Sequence, residues 1–177
     1  LQFNGTGRTT SFFGLADALV LSKVRAALGL DACKFCATGA APISLETLEY
    51  FGSLGININE LYGMTESSAS TTTSSDEKHV WGGVGAAHPG SELKFFDVNE
   101  KDFNKKTECP KAANTSNPAE AEQGELCIRG RHVMMGYLAN PDMGAEHVAD
   151  IEKKTAEAID DEGWLHSGDK GCMDVNG

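Results

Sequence analysis

The densest concentration of groups able to do chemistry is Leu61-Tyr62-Gly63-Met64-Thr65-Glu66. An aromatic residue followed by glycine gives a flat face beside a backbone that a ligand can approach closely. Thr65 adds a hydroxyl and Glu66 a carboxylate, both suited to a phosphate with its metal ion. The same residues also make a tight turn with a solvated acid, and chemistry alone favours that plainer reading. In Trp164-Leu165-His166-Ser167-Gly168-Asp169, likewise, the residues by themselves favour a turn aspartate after glycine. Cys33-x-x-Cys36 has the spacing of half a zinc site or a redox pair. No second cysteine pair follows at zinc spacing, residues three apart on a strand face opposite sides, and a redox pair wants a helix N-terminus at its first thiol. Two buried small hydrophobes are therefore expected there. The five histidines (His79, His88, His132, His147, His166) show no paired helical spacing for a metal. Gly83-x-Gly85 puts His88 where a dinucleotide fingerprint needs glycine, which disfavours hydride transfer.

The elements that must position these groups follow from hydrophobic periodicity. Phe12, Leu15, Ala16, Leu19, Val20, Val24 and Ala27 recur at three- and four-residue steps, which predicts an amphipathic helix closed by Gly29. Cys33 to Thr38 reads as a short strand opening into Gly39-Ala40-Ala41-Pro42. Ser44 is placed to N-cap a helix carrying Leu45, Leu48 and Phe51, closed by Gly52 or Gly55. Ile56, Ile58 and Leu61 alternate as on a strand. Helix, strand, helix, strand is the order of a mostly parallel α/β sheet, whose ligands bind outside the carboxyl ends of the strands. The loops at Gly39–Pro42 and Tyr62–Glu66 occupy that position. The run from Ser67 to Ser75 reads as a polar loop, and beyond it lies a β-rich part with strands at Glu92–Val98, Glu125–Arg129 and Gly171–Val175. Asn99 to Gln123 reads as a mobile insertion, and Pro141 to Ile159 carries an exposed helix. The expected division is an α/β portion over residues 1–75 and a β-rich subdomain over residues 76–177.

Tyr62-Gly63-Met64-Thr65-Glu66 resembles the Tyr-Gly-x-Thr-Glu signature of the acyl-adenylate-forming superfamily. Three further segments fall in that family's order. Gly39-Ala40-Ala41-Pro42 resembles its small-residue adenine loop. Gly124-Glu125-Leu126-Cys127-Ile128-Arg129-Gly130, running on to Met135-Gly136-Tyr137, resembles its Gly-Glu…Gly-Tyr strand pair. Trp164 to Asp169 resembles its Trp-(apolar)-x-(Ser/Thr)-Gly-Asp signature. The match is most similar to long-chain and bubblegum-type fatty acyl-CoA synthetases, through Gly39 to Ser44, Leu61 to Glu66, Gly130 to Leu138, Glu157 to Asp160 and Glu162 to His166. The resemblance implies a part of the large N-terminal domain of an ATP-dependent fatty acid–CoA ligase. Its alternatives are another adenylate-forming ligase or a nucleotide-binding remnant without turnover. The implied ligands are ATP or AMP, Mg²⁺, CoA and a fatty acid. Tyr62 would stack on the adenine with Gly39, Ala40, Ala41 and Pro42 against its other side, and Gly63 would let the nucleotide approach. Thr65 would bond phosphate oxygens, Glu66 would hold Mg²⁺, Asp169 would take the ribose hydroxyls, and Met64 would border the carboxylate of the substrate. The segment from Gly124 to Gly136 is expected to be scaffold. Extra residues at 104–123 and 144–154 depart from the family pattern.

The balance of 15 basic and 26 acidic residues, a net charge of -11, disfavours nucleic acid as a main partner. An odd set of five cysteines without a regular framework suits a reducing compartment, so a cytoplasmic place is expected. Membrane association is left to parts of the parent protein outside this chain. The matches to the glycosylation pattern at Asn4 and Asn114 read as chance. The family's phosphate loop is expected upstream, since Gly5 to Thr10 lacks its closing lysine, and its hinge and lysine-bearing lid are expected after Gly177.

Overall fold

The computed structural model describes residues 12–76, 79–112, 122–175 and 177. The Gly5–Thr10 segment, the Asn4 and Asn114 patterns and residues 113–121 of the expected insertion lie outside the described residues. The chain divides into two compact units, one of residues 1–63 and 70–86, the other of residues 64–69 and 87–177. Among the described residues no helix is long and apolar enough to cross a membrane.

The first unit opens with helix α1 (Phe13–Ala16), a π-helical stretch Asp17–Leu21, and α2 (Ser22–Ala27). Gly29 follows with φ 72°, as expected of a helix-closing glycine. The apolar stripe does not turn inward, however: Phe12, Leu15, Leu19 and Val20 are exposed. Polar residues tie the helix down instead. Arg25 donates to the Leu54 carbonyl (2.7 Å) and pairs with Asp17 (2.6 Å). Strand β1 (Cys36–Thr38) follows, shorter than expected. In α3 (Leu45–Ser53), the Ser44 side chain accepts the Thr47 N–H as the predicted cap, while Gly52 lies inside the helix. Gly55, at φ 77°, makes the turn out. Strand β2 (Ile58–Met64) pairs in parallel with β1, with Cys36 opposite Ile58 and Thr38 opposite Glu60. The predicted parallel α/β order is present.

Ser67 to Ser75 is not a loop. Strand β3 (Ala69–Thr73) runs through it, and Thr71, Thr72 and Ser74 are buried. Threonine is β-branched and favours strands, a preference that outweighs its polarity here. With β4 (Ala86–Ala87) the sheet order is β1-β2-β3-β4.

The second unit is built on an antiparallel sheet, β6-β5-β7-β8. The strands are β5 (Ser91–Asn99), β6 (Asp102–Glu108), β7 (Gly124–Gly130) and β8 (Leu165–Gly171). Part of the expected insertion is thus the edge strand β6. The strand expected at Gly171–Val175 lies earlier, at β8, with an isolated bridge left at Asp174. The core joins Phe96, Cys127 and Trp164, the two rings edge to face at 5.5 Å. The exposed helix α4 (Ala145–Ala158) stands where predicted and buries no residue.

Candidate functional site

In the first unit, the parallel pairing of β1 with β2 brings the turn after Thr38 beside the end of β2. A Cβ on Gly39 would run into the Leu61 side chain and lie 3.1 Å from the Leu61 carbonyl, so a side chain there would have to displace Leu61. Ala40 holds φ 68°, a left-handed conformation uncommon for a residue with a side chain and frequent where a backbone is shaped for a ligand. The small-residue loop therefore sits against the residue that precedes Tyr62. Tyr62 and Gly63 belong to β2 itself, not to a loop after it, because the strand continues through Met64.

In the second unit, Thr65–Ser67 forms a single 3-10 turn. Ser67, fully buried, ties it to Met64: its hydroxyl donates to the Met64 carbonyl (3.1 Å) and accepts the Met64 N–H (3.2 Å). Ser68, at φ 58°, ends the turn. Thr65 is exposed and Glu66 half-buried. The stretch after β7 clamps this turn. Met134 N–H donates to the Glu66 carbonyl (2.7 Å), and the Ser68 hydroxyl to the His132 carbonyl (2.8 Å). The Tyr137 hydroxyl donates to Glu66 Oε1 (2.9 Å). That bond to the carboxylate, with burial adding to it, pushes the Tyr137 pKa up. Gly136 allows the approach: a Cβ there would meet Thr155 at 2.8 Å, while the Thr155 hydroxyl accepts the Tyr137 N–H (3.0 Å). Tyr137, the residue just past the Gly124–Gly136 stretch expected to be scaffold, thus supplies a direct partner to the acidic candidate.

Asp169 lies on β8 within a bulge. Glu125 pairs with Lys170 and Cys127 with His166, so β8 carries two more residues than β7 across this stretch. A bulge of this kind bends the strand and re-aims its side chains. Here Gly168 takes φ 75° and Asp169 is exposed. Its base is fixed by Ser167, whose hydroxyl donates to the Leu126 carbonyl (2.7 Å) and accepts the Asp169 N–H (3.1 Å). Glu125 Oε1 accepts the Gly168 N–H (2.9 Å).

Behind the bulge is a buried ionic network. Lys106 meets Asp160 (2.6 Å) and Glu162 (2.8 Å), with the Lys106 side chain 3% exposed and that of Asp160 fully buried. His166 places Nδ1 against Glu125 (2.9 Å) and Nε2 against Asp160 (3.3 Å). Asp160 also accepts the N–H groups of Glu162 and Trp164, each at 2.9 Å. Burial is the largest single influence on His166 and opposes its charge, but the bonds to Glu125 and Asp160 together outweigh it and raise its pKa. For Asp160, burial favours the neutral acid, yet Lys106, the two N–H groups and His166 together hold its pKa below the usual carboxylate range. Glu125 is lowered, chiefly by His166. Glu125, Cys127 and His166 bring their donor atoms within 4.8 Å of one another. Their polar atoms are already engaged with one another, and burial pushes the Cys127 thiol up to about 12, which disfavours the thiolate a metal needs.

With this geometry in place, the comparison with known proteins is decisive. The family model described as AMP-binding enzyme matches residues 9–138. The chain belongs to the AMP-binding enzyme family. It is 41% identical over 174 residues to the long-chain-fatty-acid–CoA ligase ACSBG2 of Gallus gallus, covering 98% of this chain and 19% of that protein. With the Homo sapiens ACSBG2 ligase it shares 38% over 170 residues, 96% of this chain and 21% of that one. Against Homo sapiens ACSBG1 the identity is 36% over 163 residues, 92% and 18% of the two chains. The chain thus spans about a fifth of the length of these relatives. Among solved structures, ATP-bound MatB from Rhodopseudomonas palustris superposes with a TM-score of 0.63 at 25% identity, covering 81% of this chain and 24% of that one. A malonyl-CoA ligase ternary product complex shares the fold, with a TM-score of 0.60 at 23% identity over 93% of this chain and 29% of that one. The mixed α/β fold is that of the adenylate-forming ligases.

Proposed function

We propose that the protein carrying this chain is a long-chain fatty acid–CoA ligase. The observation that carries the reading is the 36–41% identity to ligases of that name over 92–98% of the chain. In the proposed reaction a fatty acid carboxylate attacks the α-phosphate of ATP, pyrophosphate leaves, and the CoA thiol then displaces AMP from the acyl-adenylate.

In this reading Tyr62 stacks on the adenine and the loop Gly39-Ala40-Ala41-Pro42 lies against its other side. The constrained Gly39 and the left-handed Ala40 support that role, since both shape backbone rather than present side chains. Gly63 leaves room for the nucleotide, and Met64 borders the carboxylate of the fatty acid. Thr65 donates to phosphate oxygens from its exposed position. Asp169, presented on the bulge, accepts from the ribose hydroxyls with its two oxygens. The donor set at the turn suits Mg²⁺: a half-buried carboxylate with one oxygen on the Tyr137 hydroxyl, beside a threonine hydroxyl, offers hard oxygen ligands. Glu66 would hold the ion, which when bound neutralises phosphate charge. The Tyr137 hydroxyl orients the Glu66 carboxylate. The working place proposed for the protein is the cytoplasm, in keeping with its five unpaired thiols.

The test is pyrophosphate–ATP exchange by the intact protein. Exchange that requires a long-chain fatty acid, followed by acyl-CoA formation when CoA is added, is the expected result. Exchange driven by amino acids or short dicarboxylates but not by fatty acids would assign another adenylate-forming reaction.

A further inference from the structure

Cys33 and Cys36 have no part in the reaction proposed above, and they are not the two buried small hydrophobes expected of them. Cys33 is not on a strand. Its N–H donates to the Leu30 carbonyl (3.2 Å) in the turn after α2, and strand β1 begins only at Cys36. The rule that residues three apart on a strand face opposite sides therefore does not apply. The two Sγ atoms lie 3.3 Å apart, with Cys33 exposed and Cys36 half-buried. The Cys33 thiol donates to the Phe35 carbonyl (3.3 Å), which leaves the Cys36 thiol to donate to the Cys33 sulfur. Of the other thiols, Cys109 and Cys127 are buried, and Cys172 is half-buried.

We propose that Cys33 and Cys36 form a peroxide-reactive dithiol that closes reversibly to a disulfide. In the first step the Cys33 thiolate attacks one oxygen of hydrogen peroxide. A sulfur–oxygen bond forms, the oxygen–oxygen bond breaks, and the hydroxide that leaves takes up a proton to become water, so Cys33 becomes a sulfenic acid. In the second step the Cys36 thiolate attacks the Cys33 sulfur. The sulfur–sulfur bond forms, the sulfur–oxygen bond breaks, and the hydroxide departs as water with the proton that Cys36 gave up. Two thiols and one peroxide yield a disulfide and two waters, the sulfurs giving up two electrons. Cys33 is the attacking residue because solvent reaches it. Cys36 resolves because it is anchored at the head of β1 with its sulfur already in contact. The remaining approach is about 1.3 Å, from 3.3 Å to the about 2.0 Å of a disulfide. The Cys36 thiol is held above its usual pKa first by its hydrogen bond to Cys33, then by burial. Oxidation of Cys33 consumes that partner thiol, so the largest restraint on Cys36 ionisation falls at the moment it must attack.

The experiment treats the intact protein with equimolar hydrogen peroxide, blocks free thiols with iodoacetamide under denaturing conditions, and digests it with trypsin without reductant. Cleavage after Lys34 separates the two cysteines, so a bridge reads as a covalent link between the peptide ending at Lys34 and the one beginning at Phe35. The expected result is that link, abolished by dithiothreitol, with Cys172 still alkylated. In Cys36→Ser the sulfenic acid at Cys33 should persist and be captured by dimedone, whereas Cys33→Ser should give no capture at Cys36. Alkylation of both cysteines after treatment, a bridge joining Cys33 to a second molecule, or dimedone capture at Cys172 in place of Cys33 would each overturn the proposal.

Discussion

Replacing Asp160 with alanine tests whether the network behind the Asp169 bulge is a buried one. The carboxylate is fully buried and accepts from Lys106, His166 and two backbone N–H groups. Its removal strands a lysine whose side chain is 3% exposed. Breaking a buried pair from one side costs about 3–5 kcal/mol, because the surviving charge keeps its desolvation penalty. Lys106 retains Glu162 at 2.8 Å, which points to the lower half of that range. Asp160→Asn keeps an oxygen for the two N–H groups and loses the charge, so it should cost less, about 2 kcal/mol. Urea unfolding followed by hydrogen exchange of the Trp164 backbone N–H reports on the right place, since that group is buried and donates to Asp160. Adding Lys106→Met to Asp160→Ala should cost less than the sum of the two single changes, by about 1–3 kcal/mol, because the stranded cation is gone. The Lys153–Glu157 pair on the exposed face of α4 serves as the control, and Lys153→Ala should leave the transition in place. A cost below about 1 kcal/mol for Asp160→Ala, the range of solvated pairs, would refute the reasoning.

Three further outcomes concern the intact protein. Glu66→Gln should slow adenylate formation at least about a hundredfold in single-turnover assays, and Tyr137→Phe about tenfold through loss of the bond that orients Glu66, both with the thermal transition unchanged. Asp169→Ala should raise the KM for ATP about tenfold with kcat nearly unchanged, because ribose contacts exist in ground and transition states alike; an unaltered ATP dependence in a folded variant would remove Asp169 from the site. The network should also give stability a pH profile. His166 is raised in the folded state, so its contribution is present in full below about pH 6.5 and is lost as pH rises through its folded value. Asp160 and Glu125 are lowered, so theirs is present above about pH 4 and is lost as pH falls through their folded values. Thermal unfolding should therefore peak between those limits, and His166→Gln should flatten the alkaline side and weaken the acid side as well, because Glu125 owes its lowered pKa chiefly to His166.

The segments that could be read from sequence are those whose local chemistry has one solution. Ser44 caps its helix because its side chain has an N–H three residues on to satisfy, and the parallel pairing of β1 with β2 follows from helix–strand alternation. Misreadings arose where polarity stood in for conformation. The Ser/Thr run became β3, and the charged residues Asp102 to Glu108 became an edge strand, where polar side chains are tolerated and guard the open edge. At β8, glycine and aspartate read as a turn between elements, whereas the sheet absorbs them as a bulge and keeps its pairing on either side.

The network behind that bulge was illegible for a different reason. Lys106 and Asp160 meet on separate elements, and although Asp160 ends the Glu157–Asp160 segment, nothing in the sequence pairs it with Lys106, so only the fold declares them partners. Yet their burial is what lets Asp160 hold His166 from one side while Glu125 holds it from the other. Glu125 in turn spends its second oxygen on the Gly168 N–H, one residue before Asp169. The exposed aspartate thus rests on a chain of buried charges that runs from β6 through the turn after α4 to β7 and β8. Glu125, His166 and Asp169 each fall within a recognisable segment, but the contacts that join them are made only by the fold. Lys106 lies outside every such segment, so its pairing with Asp160 leaves no mark in one sequence.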